Sequence, residues 1–130
     1  MNEVLEFLKK AGVYFLATVD GGAPKVRPFG TALLFENKLY FQTGKAKPVS
    51  RQLAANPRVA ISAVDGDRWL RIEATAVNDD RVAVKKAMLD THPELRALYD
   101  ENDASTQVLF LRDATATIQS FSGENKTVRF

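Results

Sequence analysis

Short β-rich runs separated by tight polar turns constrain this chain more than any other feature. Val13–Val19, Leu39–Thr43, Arg58–Val64 and Arg68–Val77 have strand length and strand composition. Between them lie Asp20-Gly21-Gly22-Ala23-Pro24, Glu36-Asn37-Lys38 and Asp65-Gly66-Asp67, residue types that supply the backbone angles a reversal needs. A long second strand is predicted from Lys25 to Phe35, where Pro28 and Gly30 mark an edge or a bulge. Gln107–Leu111 and Ala114–Phe121 read as two more strands, and Ser122–Lys126 turns into a short last one. Helical spacing is confined to short pieces. Val4, Phe7, Leu8 and Ala11 form one apolar face that Gly12 ends, and Pro48–Ala55 is a helix that Asn56-Pro57 stops. A third helix is predicted from Asn78 to Asp90, with a further turn from Pro93 to Leu98. The pattern predicts one mainly β domain over residues 1–130, an antiparallel barrel with short flanking helices. Val13–Val19 and Val108–Leu111 are apolar on both faces. A small barrel buries one face of a strand, so the other needs a helix or a partner chain, and a homodimer is expected.

Composition narrows the chemistry. The chain has no cysteine and one histidine, His92. Disulfides, thiolate metal sites, cysteine nucleophiles and two-histidine metal sites are therefore excluded. No apolar run approaches the ~20 residues that span a bilayer. The segment Met1–Lys10 carries acids where a signal peptide carries bases, so a cytoplasmic protein is expected. Neither G-x-G-x-x-G nor G-x-x-x-x-G-K-[ST] occurs. His92, just before Pro93, reads as a surface or capping residue. Glu73 lies mid-strand among apolar neighbours and reads as an outward-facing residue or an ion-pair partner. No pair of acids stands out as a catalytic dyad. If the chain is an enzyme, a bound cofactor does the demanding chemistry.

Charge is unevenly spread. From Gly21 to Val64 there are seven bases (Lys25, Arg27, Lys38, Lys45, Lys47, Arg51, Arg58) and one acid, Glu36, a local net of +6. The rest carries eleven bases (18 − 7) and fifteen acids (16 − 1), a net of −4. Such asymmetry suits an anionic partner. Near-neutrality overall disfavours nucleic acid and favours a small phosphorylated ligand; the alternative is a set of solvated strand ends. Within Thr43-Gly44-Lys45-Ala46-Lys47-Pro48-Val49, lysines precede a helix, the wrong end for its dipole. They make sense there if a phosphate sits between them and the helix N–H groups, with Thr43 adding a hydroxyl; otherwise they point into water. Arg27 shares a strand face with Lys25, Phe29 and Thr31, and a base among apolar groups is costly unless paired. It suits contact with a flat polar ligand, or sits on an edge strand in solvent. Trp69 and Arg71 share a face of the fifth strand, where tryptophan either walls off an aromatic ligand or packs in a core or dimer interface.

Taken in order, these pieces resemble the pyridoxamine 5′-phosphate oxidase-like FMN-binding split-barrel family. The resemblance rests on Phe15-Leu16-Ala17-Thr18-Val19, Val26-Arg27-Pro28-Phe29-Gly30, Leu39-Tyr40-Phe41-Gln42-Thr43, Lys45-Ala46-Lys47-Pro48-Val49, Gln52-Leu53 and Asn56-Pro57-Arg58-Val59. It covers about residues 1–77 closely and the remainder in outline. It implies a homodimeric split β-barrel with FMN at the subunit interface. It also implies that Arg27 lies along the flavin's pyrimidine edge, with Pro28, Phe29 and Gly30 giving backbone contacts. Gln42 and Thr43 fall near the ribityl chain and phosphate, Lys45 and Lys47 at the phosphate, with Val49 and Gln52 following. Trp69 or Arg71 matches the residue given to the flavin of the other subunit. The oxidases that name the family carry arginine and histidine substrate contacts in a C-terminal segment, and no histidine follows His92 here. The phosphate loop reads Lys47-Pro48 where they have an arginine–lysine pair, so the likeness is closer to the small single-domain flavoproteins.

The function this implies is FMN-dependent oxidoreduction, with hydride or electrons passing to a small organic acceptor. The alternatives are a flavin-binding electron-carrier module without turnover, and the same fold using a deazaflavin. Haem ranks lower, because His92 is the single histidine and cysteine is absent.

Overall fold

The computed structural model describes residues Met1–Phe130. Its eight strands are β1 (Tyr14–Asp20), β2 (Ala23–Phe29), β3 (Leu33–Phe35), β4 (Lys38–Gly44), β5 (Arg58–Asp65), β6 (Arg68–Asn78), β7 (Thr106–Ser120) and β8 (Asn125–Arg129). Three α-helices accompany them, α1 (Asn2–Ala11), α2 (Pro48–Ala55) and α3 (Val82–Thr91), with a 3-10 turn over Pro93–Ala97. All strand pairs are antiparallel, and neighbours run β2-β1-β5-β6-β7-β4-β3 with β8 beside β7. This is the mainly β, antiparallel architecture that the turn pattern predicts, in the split-barrel form that the family resemblance implies. No helix is long and apolar enough to cross a membrane.

The split originates in β7. One edge pairs with β6, while the other takes β4 along Thr106–Phe110 and β8 along Thr115–Gln119. At the fork, Asp113 lies in the left-handed region (φ 52°), which aspartate tolerates better than most residues. Ala114 and Phe130 exchange backbone hydrogen bonds of 2.7 and 3.0 Å there. The two strands expected at Gln107–Leu111 and Ala114–Phe121 are therefore one bent strand. Its polar interruption, Arg112-Asp113, marks the bend.

The long second strand predicted over Lys25–Phe35 is broken. β2 ends at Phe29, and Gly30–Ala32 carries the chain across to β3 at the other end of the strand order. Side chains satisfy the backbone at the break. The Tyr14 hydroxyl donates to Thr31 O (2.6 Å), Gln42 N–H donates to Thr31 Oγ1 (2.9 Å), and His92 Nε2 lies 3.2 Å from Ala32 N. His92 is thus a structural pin for this crossing.

Two apolar clusters hold the fold. The larger includes Leu16, Phe41, Ile61, Ile72 and Ile118, with Val4, Phe7 and Leu8 of α1 packed into it. Gly12 closes α1 with φ 77° and donates to Leu8 O at 3.0 Å. The smaller cluster packs Val84 and Met88 of α3 against Tyr40 and Val108, so β4 and the start of β7 are buried on both faces. The strand Val13–Val19 receives no such cover: Phe15 stays 50% exposed. α3 begins at Val82 rather than Asn78, because Asn78-Asp79-Asp80 forms a corner. There Asp79 accepts from Tyr40 Oη (2.8 Å), Arg81 N (3.2 Å) and Arg81 Nη2 (2.9 Å).

This corner is pH-sensitive. Hydrogen bonds from Arg81, reinforced by Tyr40, hold the Asp79 carboxyl at about 2, below its ordinary 3.8. A lowered folded-state value stabilises the fold above the unfolded value, and that contribution is lost as pH falls toward the folded one. Stability should therefore decline between about pH 4 and 2, and Asp79→Asn should flatten that limb while lowering stability at neutral pH. Denaturation midpoints measured from pH 2 to 7 test this.

Candidate cofactor cleft

β2 is an edge strand, and its register places Arg27 opposite Leu16 and Lys25 opposite Thr18. Both bases share the inward face with buried residues, yet they project beyond β1 toward α2. α2 turns Val49, Gln52 and Leu53 inward, the i, i+3, i+4 spacing of one helix face. Arg27 fills the junction. Its Nη1 donates to Leu16 O (3.2 Å) and Thr18 Oγ1 (2.8 Å), and its Nη2 donates to Gln52 Oε1 (2.5 Å). The Thr18 hydroxyl also donates to Gln52 Oε1, at 2.6 Å. With two donors on that atom, the network sets the amide's orientation. Gln52 Nε2 has no partner within the chain. Burial lowers the pKa of Arg27 from its ordinary value, in keeping with a cation held partly out of water.

Between β2 and α2 lies a cleft of about 520 Å³, within the range of small-ligand sites. Lys25, Arg27, Lys47 and Arg51 line it against one acid, Asp20, a local net of +3 (4 − 1). Arg51 meets Asp20 at 3.7 Å with both side chains well exposed, a weak pair. The cleft continues past Pro28, Phe29 and Lys47 into a hollow of about 170 Å³ lined by Gly30, Thr31, Gln42, Thr43 and Leu95. At its other end it shares Asp20, Arg51 and Gln52 with a hollow of about 430 Å³. The three adjoin one another along a groove beside the edge strand, sharing those lining residues.

This groove brings together Arg27, Pro28, Phe29, Gly30, Gln42, Thr43, Lys47, Val49 and Gln52 of the residues singled out from the sequence. Lys45 is placed elsewhere. Its Nζ lies 3.4 Å from Asp80 Oδ1, and its N–H donates to Ser105 O at 2.8 Å. Trp69 and Arg71 face outward on β6. The Trp69 indole N–H donates to Gln119 Oε1 (3.2 Å), and its ring centroid lies 5.0 Å from that of Phe121. Arg71 lines an open hollow of about 440 Å³ on the outer face with Phe15, Ala17, Val26 and Glu73. Val26 borders both this hollow and the cleft. Glu73 is exposed, as read. Sequence reasoning passed over Lys25 and Arg51 as site residues. The signal was present: Arg51 follows Lys47 by one helical turn, and Lys25 precedes Arg27 by one strand repeat.

The profile of pyridoxamine 5′-phosphate oxidase matches residues 1–120. A NimC/NimA family protein from Clostridium acetobutylicum is 40% identical, with a TM-score of 0.97 over 100% of this chain and 92% of that one. A pyridoxamine 5′-phosphate oxidase-related, FMN-binding protein from Nostoc punctiforme is 15% identical, with a TM-score of 0.66 over 99% of this chain and 93% of that one. A heme binding protein from Mycobacterium smegmatis is 19% identical, with a TM-score of 0.71 over 96% of this chain and 57% of that one. At those identities the last two speak to the fold alone. No curated protein sequence matches the chain. By the profile match the chain belongs to the pyridoxamine 5′-phosphate oxidase family, and by its full-length likeness at 40% identity it belongs with the NimC/NimA family protein.

Proposed function

We propose that this protein is a homodimeric FMN-dependent oxidoreductase that passes hydride or electrons to a small organic acceptor. The observation that carries the reading is the cationic groove beside β2, four bases against one acid. The residues present fit FMN. Lys47 has no carboxylate partner and stands at the start of α2, where no side chain caps the first turn. A phosphoryl group meets both needs there, charge and N–H acceptors. Gln52 Nε2 offers a free donor at the cleft wall. FMN-binding in the Nostoc protein of this fold is consistent with the assignment.

When bound, FMN supplies the hydride or electron transfer. The chain supplies grip, orientation and charge. Lys47 and Arg51 hold the phosphoryl group, Gln42 and Thr43 line the ribityl side, and the Pro28–Gly30 backbone borders the ring. Arg27, held rigid by Thr18 and Gln52, keeps a positive charge beside the ring's polar edge and favours negative charge there. The second copy covers the bare outer face of β1, and its β6 contributes Trp69 or Arg71. No histidine lines the groove, and its one carboxylate, Asp20, lies 3.7 Å from Arg51. Haem is a poorer fit, because His92 Nε2 is committed to the Ala32 backbone.

Charge-assisted contacts are worth ~1.5–3 kcal/mol each. The Lys47→Ala/Arg51→Ala double variant should thus bind FMN at least ~100-fold more weakly in a fluorescence-quenching titration. Lys45→Ala, whose ammonium serves Asp80, should stay within about threefold, since exposed pairs contribute little. Arg27→Ala should lower the reduction potential of bound FMN by on the order of 30 mV, about 1.4 kcal/mol for a two-electron couple. Spectroelectrochemistry reads that shift directly. Oxidation of NADH or NADPH with a nitroaromatic acceptor, at a rate above free FMN, separates an enzyme from a passive flavin carrier.

A further inference from the structure

β6 alternates strictly across its middle. Leu70, Ile72 and Ala74 are buried, while Arg71 and Glu73 point outward. The register sets Arg71 between Ser62 and Thr117, and Glu73 between Ala60 and Thr115. The same outer face carries Phe15, 50% exposed, and Val26, 67% exposed, and further bases stand at its margin, Arg58 beside Thr75 and Arg129 beside Thr115. Arg71 and Glu73 form no ion pair, with each other or with any other side chain. Arg68, Arg81 and Arg96 each bond a carboxylate at 2.8 Å or less, whereas Arg71, like Arg58 and Arg129, does not. Two opposite charges, one strand repeat apart on a concave half-apolar face, are self-complementary under a two-fold rotation. With the axis lying between two stacked faces, perpendicular to β6 and over Ile72, each Arg71 falls on the opposing Glu73.

We infer that the two copies meet through this face in a register set by reciprocal ion pairs between Arg71 and Glu73 of the partner subunit. The inference rests on the dimer reading above and deepens it. It commits Arg71 to the interface and leaves Trp69 as the β6 residue that reaches the cofactor. It also bears on the groove, because Val26 lines both the outer hollow and the cleft. A partner seated on the hollow therefore completes the cleft's outer wall. Lone charges on such a face oppose association, whereas matched ones select the aligned arrangement over slipped ones.

The test is a charge exchange read by sedimentation velocity and native mass spectrometry. Wild type should be dimeric. R71E and E73R, each of which sets like charges against like, should raise the dimer dissociation constant at least tenfold. An equimolar mixture of the two should recover dimers, with the heterodimer dominant, and R71E/E73R in one chain should dimerise as wild type does. Single variants that remain as dimeric as wild type, or a mixture no tighter than its components, would overturn the pairing while leaving the dimer intact. A monomeric wild type would overturn the dimer reading itself. Should either single variant lose its native circular dichroism spectrum, the double variant decides: a dimer supports the pairing and a monomer contradicts it.

Discussion

A guanidinium on the inward face of an edge strand has to be matched by acceptors or it destabilises the fold. Arg27 is matched by Leu16 O, Thr18 and Gln52, contributed by β1 and α2. That network ties β2, β1 and α2 into one unit and holds the strand and the helix a cleft's width apart. It leaves the rim to Lys25, Lys47 and Arg51, which face the cleft with only Asp20 against them. The electrostatic character of the groove thus follows from one buried polar junction and the two elements it joins.

A second constraint is the shortage of cover for a sheet this size. α1 closes the main core, and α3 covers the far side of β4 and β7. The outer face of β1 and β5 is left with Phe15, Val19 and Val64 at the surface. The helices of the chain pack elsewhere, and in the proposed dimer the second copy supplies cover for that face. Val26 belongs to both the bare face and the cleft, so in the proposed function assembly and ligand binding would converge on one strand.

Local chemistry was legible in the sequence wherever it is decided locally. Pro48 and Asn56 bound α2, Gly12 ends α1, and the Asp65-Gly66-Asp67 turn joins β5 to β6. What escaped was decided by distant partners. The break after Phe29 depends on Tyr14, Gln42 and His92, so Pro28 and Gly30 signalled irregularity without revealing a crossing. The continuity of β7 depends on β6 running past the fork and on Phe130 pairing with Ala114. The two loop lysines look equivalent in sequence, yet Asp80 turns Lys45 away and nothing turns Lys47. Arg51 escaped because the eye follows the loop, while the helix brings its next turn to the same face.

The most direct measurement is the absorption spectrum of the purified protein, with the flavin released on denaturation quantified against protein. The account predicts a yellow protein carrying one FMN per chain, or a colourless one that quenches added FMN to the same stoichiometry. A protein that neither carries flavin nor quenches FMN at micromolar concentration would contradict it.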